Sequence, residues 1–331
     1  MSAPKFSLNL SALKLVRKLC DEADKYAVTV EQSESGTTLV DAGIKAEGGY
    51  LAGEMVTEIC LGGYGKATVN PIQYGDIVLP CVYVQTDHPA LALLGSQFAG
   101  WQIKGDGFSA IASGPARALA LKPKSIYETL MYMEESDTAV LVLETETKPP
   151  ETVIQQIAEK CRVTPKNLYL IMFSTTSLTG ATQVSGRIVE TGLHKLERLE
   201  LNPLIVKHAW GYAPIVPVHP NAGEAMGRTN DAILYGGVTN YTVDCDDEAR
   251  LEGIAKQAPS SSSKMLEEAR KLAAKNPRFL DIFKEAGFDF YKVDPNLFAP
   301  AIVALTNKRT GRTFRAGTLD IDVLKSSLGL T

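Results

Sequence analysis

The stretch TAVLVLETETKPPETVIQQIAEKCRVTPKNLYLIMF, residues 138–173, decides the fold class. It contains two apolar, β-branched runs, over 138–143 and 168–173, and each run is typical of a buried strand. Between them the sequence predicts a helix from about 151 to 161. Because two parallel strands need a crossover connection of this length, the pattern predicts a βαβ unit.

The same alternation of helical and strand patterns runs through the rest of the chain. Apolar residues at helical spacing over 8–20 predict an amphipathic amino-terminal helix. Hairpins are predicted at Glu34-Ser35-Gly36 and at Arg309-Thr310-Gly311, each between two short apolar runs. Glycine supplies the positive φ that such turns require. The predicted fold class is α/β, in the sense of a mixed α+β protein.

Two lobes are expected, because a chain of 331 residues supports either one large domain or two smaller ones. Lys148-Pro149-Pro150 cannot lie inside a helix and is the candidate boundary. It divides the chain into an amino-terminal α/β lobe, 1–148, and a carboxyl-terminal α/β lobe, 149–331, although each lobe need not be continuous in sequence. In the other interpretation, the Pro-Pro pair merely ends a strand ahead of a helix.

The charge balance limits the classes of partner. The chain has 34 Lys and Arg against 38 Asp and Glu, a net charge of -4, which argues against nucleic acid or an acidic membrane surface as the main partner. Its apolar runs, such as 91–94, fall far short of the ~18 residues that a membrane-spanning helix needs. The amino terminus intersperses Lys14, Arg17 and Lys18 among apolar residues and lacks the apolar block of a secretory signal. We expect a cytosolic protein with no membrane partner.

Cysteines and histidines give no sign of a disulfide framework or a metal site. The five cysteines never lie closer together than 21 positions, and such a scattered, odd set is not a disulfide pattern. The four histidines, His88, His194, His208 and His219, include no pair four residues apart, and none neighbours a cysteine. The sequence therefore predicts no metal.

Glycine is concentrated in four patches, at 61–65, 94–97, 112–115 and 235–237. Such loops let a ligand approach the backbone and can present amide donors to an anion. No Gly-x-Gly-x-x-Gly run follows a strand and no Gly-Lys-Ser/Thr ending is present, so neither nucleotide fingerprint is matched. Taken singly, each patch is better interpreted as a tight turn.

The most specific of these patches is Ser113-Gly114-Pro115-Ala116-Arg117. It predicts a helix start whose free amides and nearby cation suit a phosphate or carboxylate. The same letters equally fit a capped helix with a solvated arginine. The residues alone leave both interpretations open.

A second pattern lies in the segment 183–196, which we predict as one helix. At ~100° per residue, Gln183, Arg187, Glu190 and His194 fall on one narrow stripe, opposite an apolar face. Spacing alone favours a surface ion pair between Arg187 and Glu190, three residues apart. If the stripe faces a cleft, the same pair becomes a carboxyl group whose pKa and orientation are set by a fixed guanidinium.

Six stretches, taken together and in this order, resemble one family, the methenyltetrahydromethanopterin cyclohydrolases. The similarity runs from the amino-terminal helix to Phe314-Arg315-Ala316-Gly317 and covers nearly the whole chain. The uninterrupted run over 112–123 resembles the archaeal branch more than the bacterial methylotroph branch. The six stretches are Glu58-Ile59-Cys60-Leu61-Gly62-Gly63, Leu94-Gly95-Ser96-Gln97-Phe98-Ala99-Gly100-Trp101, Ser113-Gly114-Pro115-Ala116-Arg117-Ala118, Gly186-Arg187-Ile188-Val189-Glu190, Ala225-Met226-Gly227-Arg228-Thr229-Asn230-Asp231-Ala232 and Asp289-Phe290-Tyr291-Lys292-Val293-Asp294.

The resemblance implies a two-lobed homotrimer with a pterin pocket in a cleft between the lobes and no metal or redox cofactor. It implies reversible addition of water to the methenyl bridge of the cationic coenzyme, which gives the formyl form and releases a proton. By similarity, Glu190 is the acid/base, and Arg187 orients and tunes it, so the resemblance overrides the surface pair that spacing favoured. The implied coenzyme contacts are Gly62, Gly63, Ser96, Gln97, Ser113, Gly114, Arg117 and Arg228, with Arg117 expected on the negatively charged tail.

Two functions from other classes remain as alternatives. A nucleotide- or folate-dependent transferase would use the glycine loops and would need a second substrate. A pterin-binding carrier would bind the methenyl coenzyme without hydrating it.

Overall fold

The computed structural model describes residues 6–273, 276–289 and 292–330. The chain forms two compact units, and both are discontinuous in sequence. Unit 1 comprises described residues of 1–67 and 90–183, and unit 2 those of 68–89 and 184–331. These bounds differ from the expected boundary at 148/149. The strand Leu168–Phe173 follows that boundary in sequence, but it pairs with two strands of unit 1.

Unit 1 is built on a six-stranded mixed sheet in the order β1-β2-β8-β7-β6-β5. The pairs β2–β8 and β8–β7 are parallel, and the other three pairs are antiparallel. The strands are β1 Thr29–Gln32, β2 Thr38–Asp41, β5 Trp101–Gly105, β6 Phe108–Ser113, β7 Ala139–Glu144 and β8 Leu168–Phe173.

The helices of unit 1 cover this sheet. The helix between β7 and β8 buries Ile154 and Ile157 against Leu141 and Leu170 of the sheet, so the predicted βαβ unit is confirmed. The helices are α1 Leu8–Asp21, α2 Ala23–Tyr26, α3 Tyr50–Cys60, the π-helical segment Ala90–Gln97, α4 Ala116–Ala120, α5 Lys124–Leu130, α6 Glu151–Cys161, the 3-10 turn Pro165–Asn167 and α7 Leu178–Ser185, whose last two residues belong to unit 2.

Unit 2 holds a second six-stranded sheet in the order β12-β11-β10-β9-β4-β3. The pair β10–β11 is parallel, whereas β4–β9, β9–β10 and β11–β12 are antiparallel. The strands are β3 Lys66–Tyr74, whose first two residues belong to unit 1, β4 Ile77–Thr86, β9 Val206–Pro214, β10 Val238–Val243, β11 Ile302–Asn307 and β12 Thr313–Gly317.

The helices of unit 2 pack around that sheet, and a core cluster joins Tyr235, Phe279 and Leu324 from three of them. No helix in the described ranges is long and apolar enough to cross a membrane. The helices are α8 Ile188–Arg198, the 3-10 turn Pro203–Ile205, α9 Ala222–Gly236, α10 Glu248–Gln257, the 3-10 turn Ser260–Ser262, α11 Lys264–Ala273, α12 Phe279–Glu285 and α13 Ile321–Leu328.

Most local predictions are confirmed. Helix α1 forms, and both hairpins form around glycines of positive φ, 89° at Gly36 and 73° at Gly311. Two mixed sheets with surrounding helices confirm the mixed α+β fold class.

The prediction of one helix over 183–196 is wrong. Helix α7 ends at Ser185 and α8 begins at Ile188, with Gly186 and Arg187 between them. Two features favour a break here. Glycine inside a helix costs about 1 kcal/mol relative to alanine, and the Ser185 hydroxyl donates to the Pro214 carbonyl at 2.7 Å, which ties this turn to the end of β9.

Candidate active site

Arg187 and Glu190 form a buried ion pair at the start of α8. Arg187 Nη2 lies 2.6 Å from Glu190 Oε2, and the two side chains are only 13% and 4% exposed. The surface pair favoured by spacing alone is therefore wrong. The predicted neighbour relation itself holds across the helix break, because Arg187 is the residue that precedes the first turn of α8 and Glu190 lies within that turn.

The geometry gives the Glu190 carboxyl group a fixed direction. A charge-assisted bond of this length is short and strong, and it holds one carboxyl oxygen. The positive end of the helix dipole favours a negative charge in the first turn. An oriented, nearly water-free carboxylate is the arrangement that general acid–base chemistry requires.

His194 lies one helical turn after Glu190, on the predicted stripe. Burial, together with the positive charges of Arg198, Arg187 and Lys195, lowers the pKa of His194 to about 4. The imidazole is therefore neutral near pH 7 and adds no further positive charge to α8.

Tyr241 of β10 holds the first turn of α8 against the sheet. Its buried hydroxyl donates a 2.7 Å hydrogen bond to the Val189 carbonyl. Burial above all raises the pKa of Tyr241, so the hydroxyl keeps its proton. The two residues are 52 positions apart, and Tyr241 belongs to none of the sequence motifs, so sequence reasoning missed it.

Several predicted coenzyme contacts meet around Cys60 in unit 1. The Ser96 hydroxyl donates to the Cys60 carbonyl at 2.6 Å, and the Ser113 hydroxyl lies 3.5 Å from the Cys60 sulfur. The Gly114 amide donates to the Ser96 carbonyl at 2.9 Å. Segments that are far apart in sequence are thus brought together. Gln97, which is also buried, follows Ser96 at the end of the π-helical segment.

Gln183 joins this cluster from α7. Its amide nitrogen donates to the Cys60 sulfur at 3.2 Å, and the residue is 1% exposed. Within the described ranges, no hydrogen-bond donor reaches its Oε1. Leaving a buried polar atom unsatisfied costs about 1–3 kcal/mol, so the structure offers a buried acceptor next to the predicted coenzyme contacts. Gln183 lies on the predicted stripe, but it belongs to unit 1, whereas the stripe residues Arg187, Glu190 and His194 belong to unit 2.

Gly62 and Gly63 form the turn that follows α3. Their φ values are 67° and 73°. A Cβ on Gly62 would lie 2.7 Å from Leu8 Cδ2, and one on Gly63 would lie 2.6 Å from Ser11 Oγ. Both amides already donate to carbonyls of α3. This patch therefore serves as a tight turn packed on α1, and the structure offers no free row of amides there.

Arg117 is neither a solvated arginine nor an accessible anion ligand. It is 0% exposed, and its guanidinium donates to three carbonyls, those of Leu94, Ser96 and Lys122. Helix α4, in which it lies, has only five residues. This burial and these bonds argue against the predicted contact with the coenzyme tail, because Nη1 of the guanidinium holds the segment that carries Ser96 and Nε donates to the Lys122 carbonyl.

Arg228 lies partly buried on α9, in the same unit as the α8 ion pair. Its Nε is buried and has no hydrogen-bond partner among the described residues. In 289–294, one of the six stretches that carry the family resemblance, Phe290 and Tyr291 lie outside the described residues.

Across the described ranges, no group of three or more His, Cys, Asp or Glu side chains is arranged to hold a metal ion. The five cysteines are free thiols.

Comparison with known proteins extends over nearly the full length. A family model described as Cyclohydrolase (MCH) matches residues 7–328. The chain is 43% identical to the methenyltetrahydromethanopterin cyclohydrolase of Methanothermobacter marburgensis over 329 residues, which are 98% of this chain and 99% of that protein. It is 42% identical to proteins of the same name from Methanocaldococcus jannaschii and Methanobrevibacter smithii, again over 98% of this chain and 99% of each relative.

Proposed function

The chain belongs to the cyclohydrolase (MCH) family and catalyses the reversible hydrolysis of methenyl-tetrahydromethanopterin to its formyl form, and we propose that Glu190 carries the proton transfers while Arg187 orients its carboxyl group. Family membership supports the reaction. The residue roles are supported by one observation, the buried 2.6 Å contact between these two side chains.

The reaction needs little beyond orientation and proton transfer. The amidinium carbon of the methenyl bridge is already electrophilic, so the enzyme must place a water and remove its proton as the new C–O bond forms. The added hydroxyl group then loses its own proton and becomes the formyl C=O, while the bond from that carbon to the aryl nitrogen breaks and this nitrogen takes up a proton. The products are the formyl group on the pterin-ring nitrogen and one released proton.

One carboxyl group can perform both transfers. As a carboxylate, Glu190 accepts the proton of the attacking water, and as the acid it returns a proton to the departing aryl nitrogen. Arg187 holds one carboxyl oxygen, so the other is directed toward the reacting groups. Tyr241 keeps the helical turn in place through Val189.

The proposal assigns part of coenzyme binding to the cluster around Cys60. Ser96, Gln97, Ser113 and Gly114 are brought together there, and the unpaired Gln183 Oε1 offers an acceptor for a donor group of the pterin. Arg228 remains a candidate coenzyme contact, since its Nε has no partner among the described residues. Gly62, Gly63 and Arg117 support these segments.

The proposal also includes a homotrimer, a cytosolic location and the absence of any metal or redox cofactor. The last point rests on the chemistry: water addition and proton transfer change no oxidation state, and the amidinium carbon is electrophilic without a metal to polarise it. Exhaustive chelation followed by assay tests it, because a loss of turnover that zinc or iron restores would contradict it. Light scattering tests the trimer, and a mass near 35.7 kDa would contradict it.

A spectroscopic assay separates the proposed activity from the alternatives. Purified protein mixed with methenyl-tetrahydromethanopterin and no second substrate should discharge the methenyl chromophore catalytically. A transferase would need a further substrate, and a carrier would shift the spectrum stoichiometrically without turnover. Either of those results would contradict hydrolase activity.

A further inference from the structure

A cavity of about 500 Å³ lies in unit 1, along the outer edge of its sheet. Strand β5, the last strand of that sheet, forms one wall, and α6 forms another. Val153 and Ile157 of α6 lie beneath it and are almost fully buried in the core of the unit. A volume of this size falls within the roughly 300–1,000 Å³ of typical small-molecule sites.

Three lysines from different elements line this cavity. Lys104 comes from β5, Lys122 from the loop after α4, and Lys160 from α6. No acidic side chain lines it. Across the described part of the chain, none of the three forms an ion pair, whereas Lys66 and Lys148 elsewhere in the unit pair with glutamates at 3.1 and 2.6 Å. Like charges around one concave surface repel, and they raise the local concentration of anions.

The need to protect a sheet edge from pairing does not explain all three lysines. A lysine on an edge strand discourages pairing with another strand, and this reason covers Lys104 alone. Lys122 and Lys160 lie on a loop and on a helix, yet they line the same cavity. The amide side chains of Gln102 and Gln156 add neutral hydrogen-bonding groups to the lining.

We propose that this cavity is a second ligand site, used by a compact anion that carries several phosphate or carboxylate groups. Lys104, Lys122 and Lys160 bind its charged groups, and the side-chain amides of Gln102 and Gln156 hydrogen-bond to it. The site lies wholly in unit 1 and uses none of the residues assigned to the cyclohydrolase reaction.

Calorimetric titration of the full-length protein with inorganic triphosphate and, separately, with citrate tests this site. The variant Lys104→Gln/Lys122→Gln/Lys160→Gln should bind at least about tenfold more weakly than the unmodified protein. The matched control is Lys14→Gln/Lys18→Gln/Lys45→Gln, which removes the same charge from exposed lysines of unit 1. Its affinity should stay within about twofold, since screened, distant charges contribute little.

Each outcome decides the proposal. Binding of triphosphate alone supports a phosphate ligand, binding of citrate alone supports a carboxylate ligand, and loss of either in the cavity variant supports the site. Equal affinities of the two variants, or no binding to the unmodified protein, would overturn it. A hexaglutamate peptide that binds while neither small anion does would assign the edge of β5 to an acidic peptide strand instead.

Kinetics with the methenyl coenzyme distinguish this site from the coenzyme site. The cavity variant should keep kcat and KM near those of the control. A raised KM with unchanged kcat would place the cavity in the coenzyme site and overturn a second site. Calorimetry needs no turnover, so failure of the proposed hydrolase activity would leave this test intact.

Discussion

The Tyr241 hydroxyl donates a 2.7 Å hydrogen bond to the carbonyl of Val189, the residue immediately before Glu190. This bond fixes the first turn of α8 to the central part of the unit 2 sheet. Gly192 leaves room for this hydroxyl, because a Cβ at that position would lie 2.1 Å from its oxygen. A buried tyrosine outside the proposed chemistry thus holds the helical turn that carries Glu190, the proposed acid/base.

Replacing Glu190 with Gln should lower kcat by about 100-fold or more, because the amide keeps the shape and the contact with Arg187 but cannot transfer the proton. Coenzyme affinity should change little. Loss of the methenyl chromophore gives the rate, and a direct binding titration gives the affinity. Glu197→Gln, on the same helix, is the matched control and should keep normal turnover. Near-normal turnover in folded Glu190→Gln would assign the proton transfer to another group.

Arg187→Ala should also reduce kcat severely, because Glu190 then loses the group that directs its carboxyl oxygen. The two residues act as one unit, so the double variant Arg187→Ala/Glu190→Gln should be little slower than the slower single variant. The measurement is a double-mutant cycle on kcat, with circular dichroism as the check of folding. Multiplicative losses would show that the two side chains act independently.

Gly192→Ala should destabilise unit 2 by about 1–3 kcal/mol, because the added methyl group overlaps the Tyr241 hydroxyl and meets Pro300 at 3.0 Å. Adding Tyr241→Phe removes the nearest atom and should restore part of that loss. Thermal melts of the two single variants and the double variant measure this coupling. Strictly additive changes in melting temperature would contradict the contact.

Arg117→Ala should lower the melting temperature by several degrees, since the bonds to three carbonyls are lost and each such charge-assisted bond is worth about 1.5–3 kcal/mol. The folded enzyme should bind coenzyme with nearly normal KM. Arg17→Ala, at an exposed position of α1, is the control. An unchanged melting temperature with a raised KM would restore the contact with the coenzyme tail.

Asp231 should make stability depend on pH. Burial raises its pKa to about 7, although the Phe279 amide and the Ser327 hydroxyl, both at 2.7 Å, oppose the shift. The folded state therefore holds this proton more tightly than the unfolded chain, whose Asp pKa is about 3.9. Its contribution to the free energy of unfolding is full below pH ~4, falls by at most ~1.4 kcal/mol per pH unit up to pH ~7, and is constant above that.

The variant Asp231→Asn isolates this effect, because its side chain stays neutral at every pH. The melting temperature of the unmodified protein, relative to that of the variant, should fall as the pH rises from 4 to 7. A difference that is constant across this range would show that the carboxyl group titrates normally in the folded protein.

Local patterns predicted what local forces decide. The apolar face of α1, the glycine turns of both hairpins and the βαβ unit at 139–173 each follow from spacing within a short stretch, and the structure confirms them. The neighbour relation of Arg187 and Glu190 follows in the same way, from a separation of three residues.

What the sequence could not provide depends on distant packing. Spacing does not tell which side of α8 meets the sheet. The burial of the ion pair and the role of Tyr241 could therefore not be predicted. Arg117 looks like an anion ligand in sequence, but the carbonyls that accept from its Nε and Nη1 lie up to 23 positions away. The position of β8 in unit 1 likewise depends on pairing with β2, far earlier in the chain.

The excursion of residues 68–89 into unit 2 has a consequence for synthesis on the ribosome. Strand β4 is made early, but its partner β9 begins about 120 residues later. At roughly 5–20 residues per second, β4 waits on the order of 6–24 s for that partner, with an unpaired edge exposed. All residues of unit 1, by contrast, have been made once position 183 has been added. The nascent chain can therefore complete its amino-terminal sheet while its second sheet is still waiting for most of its strands.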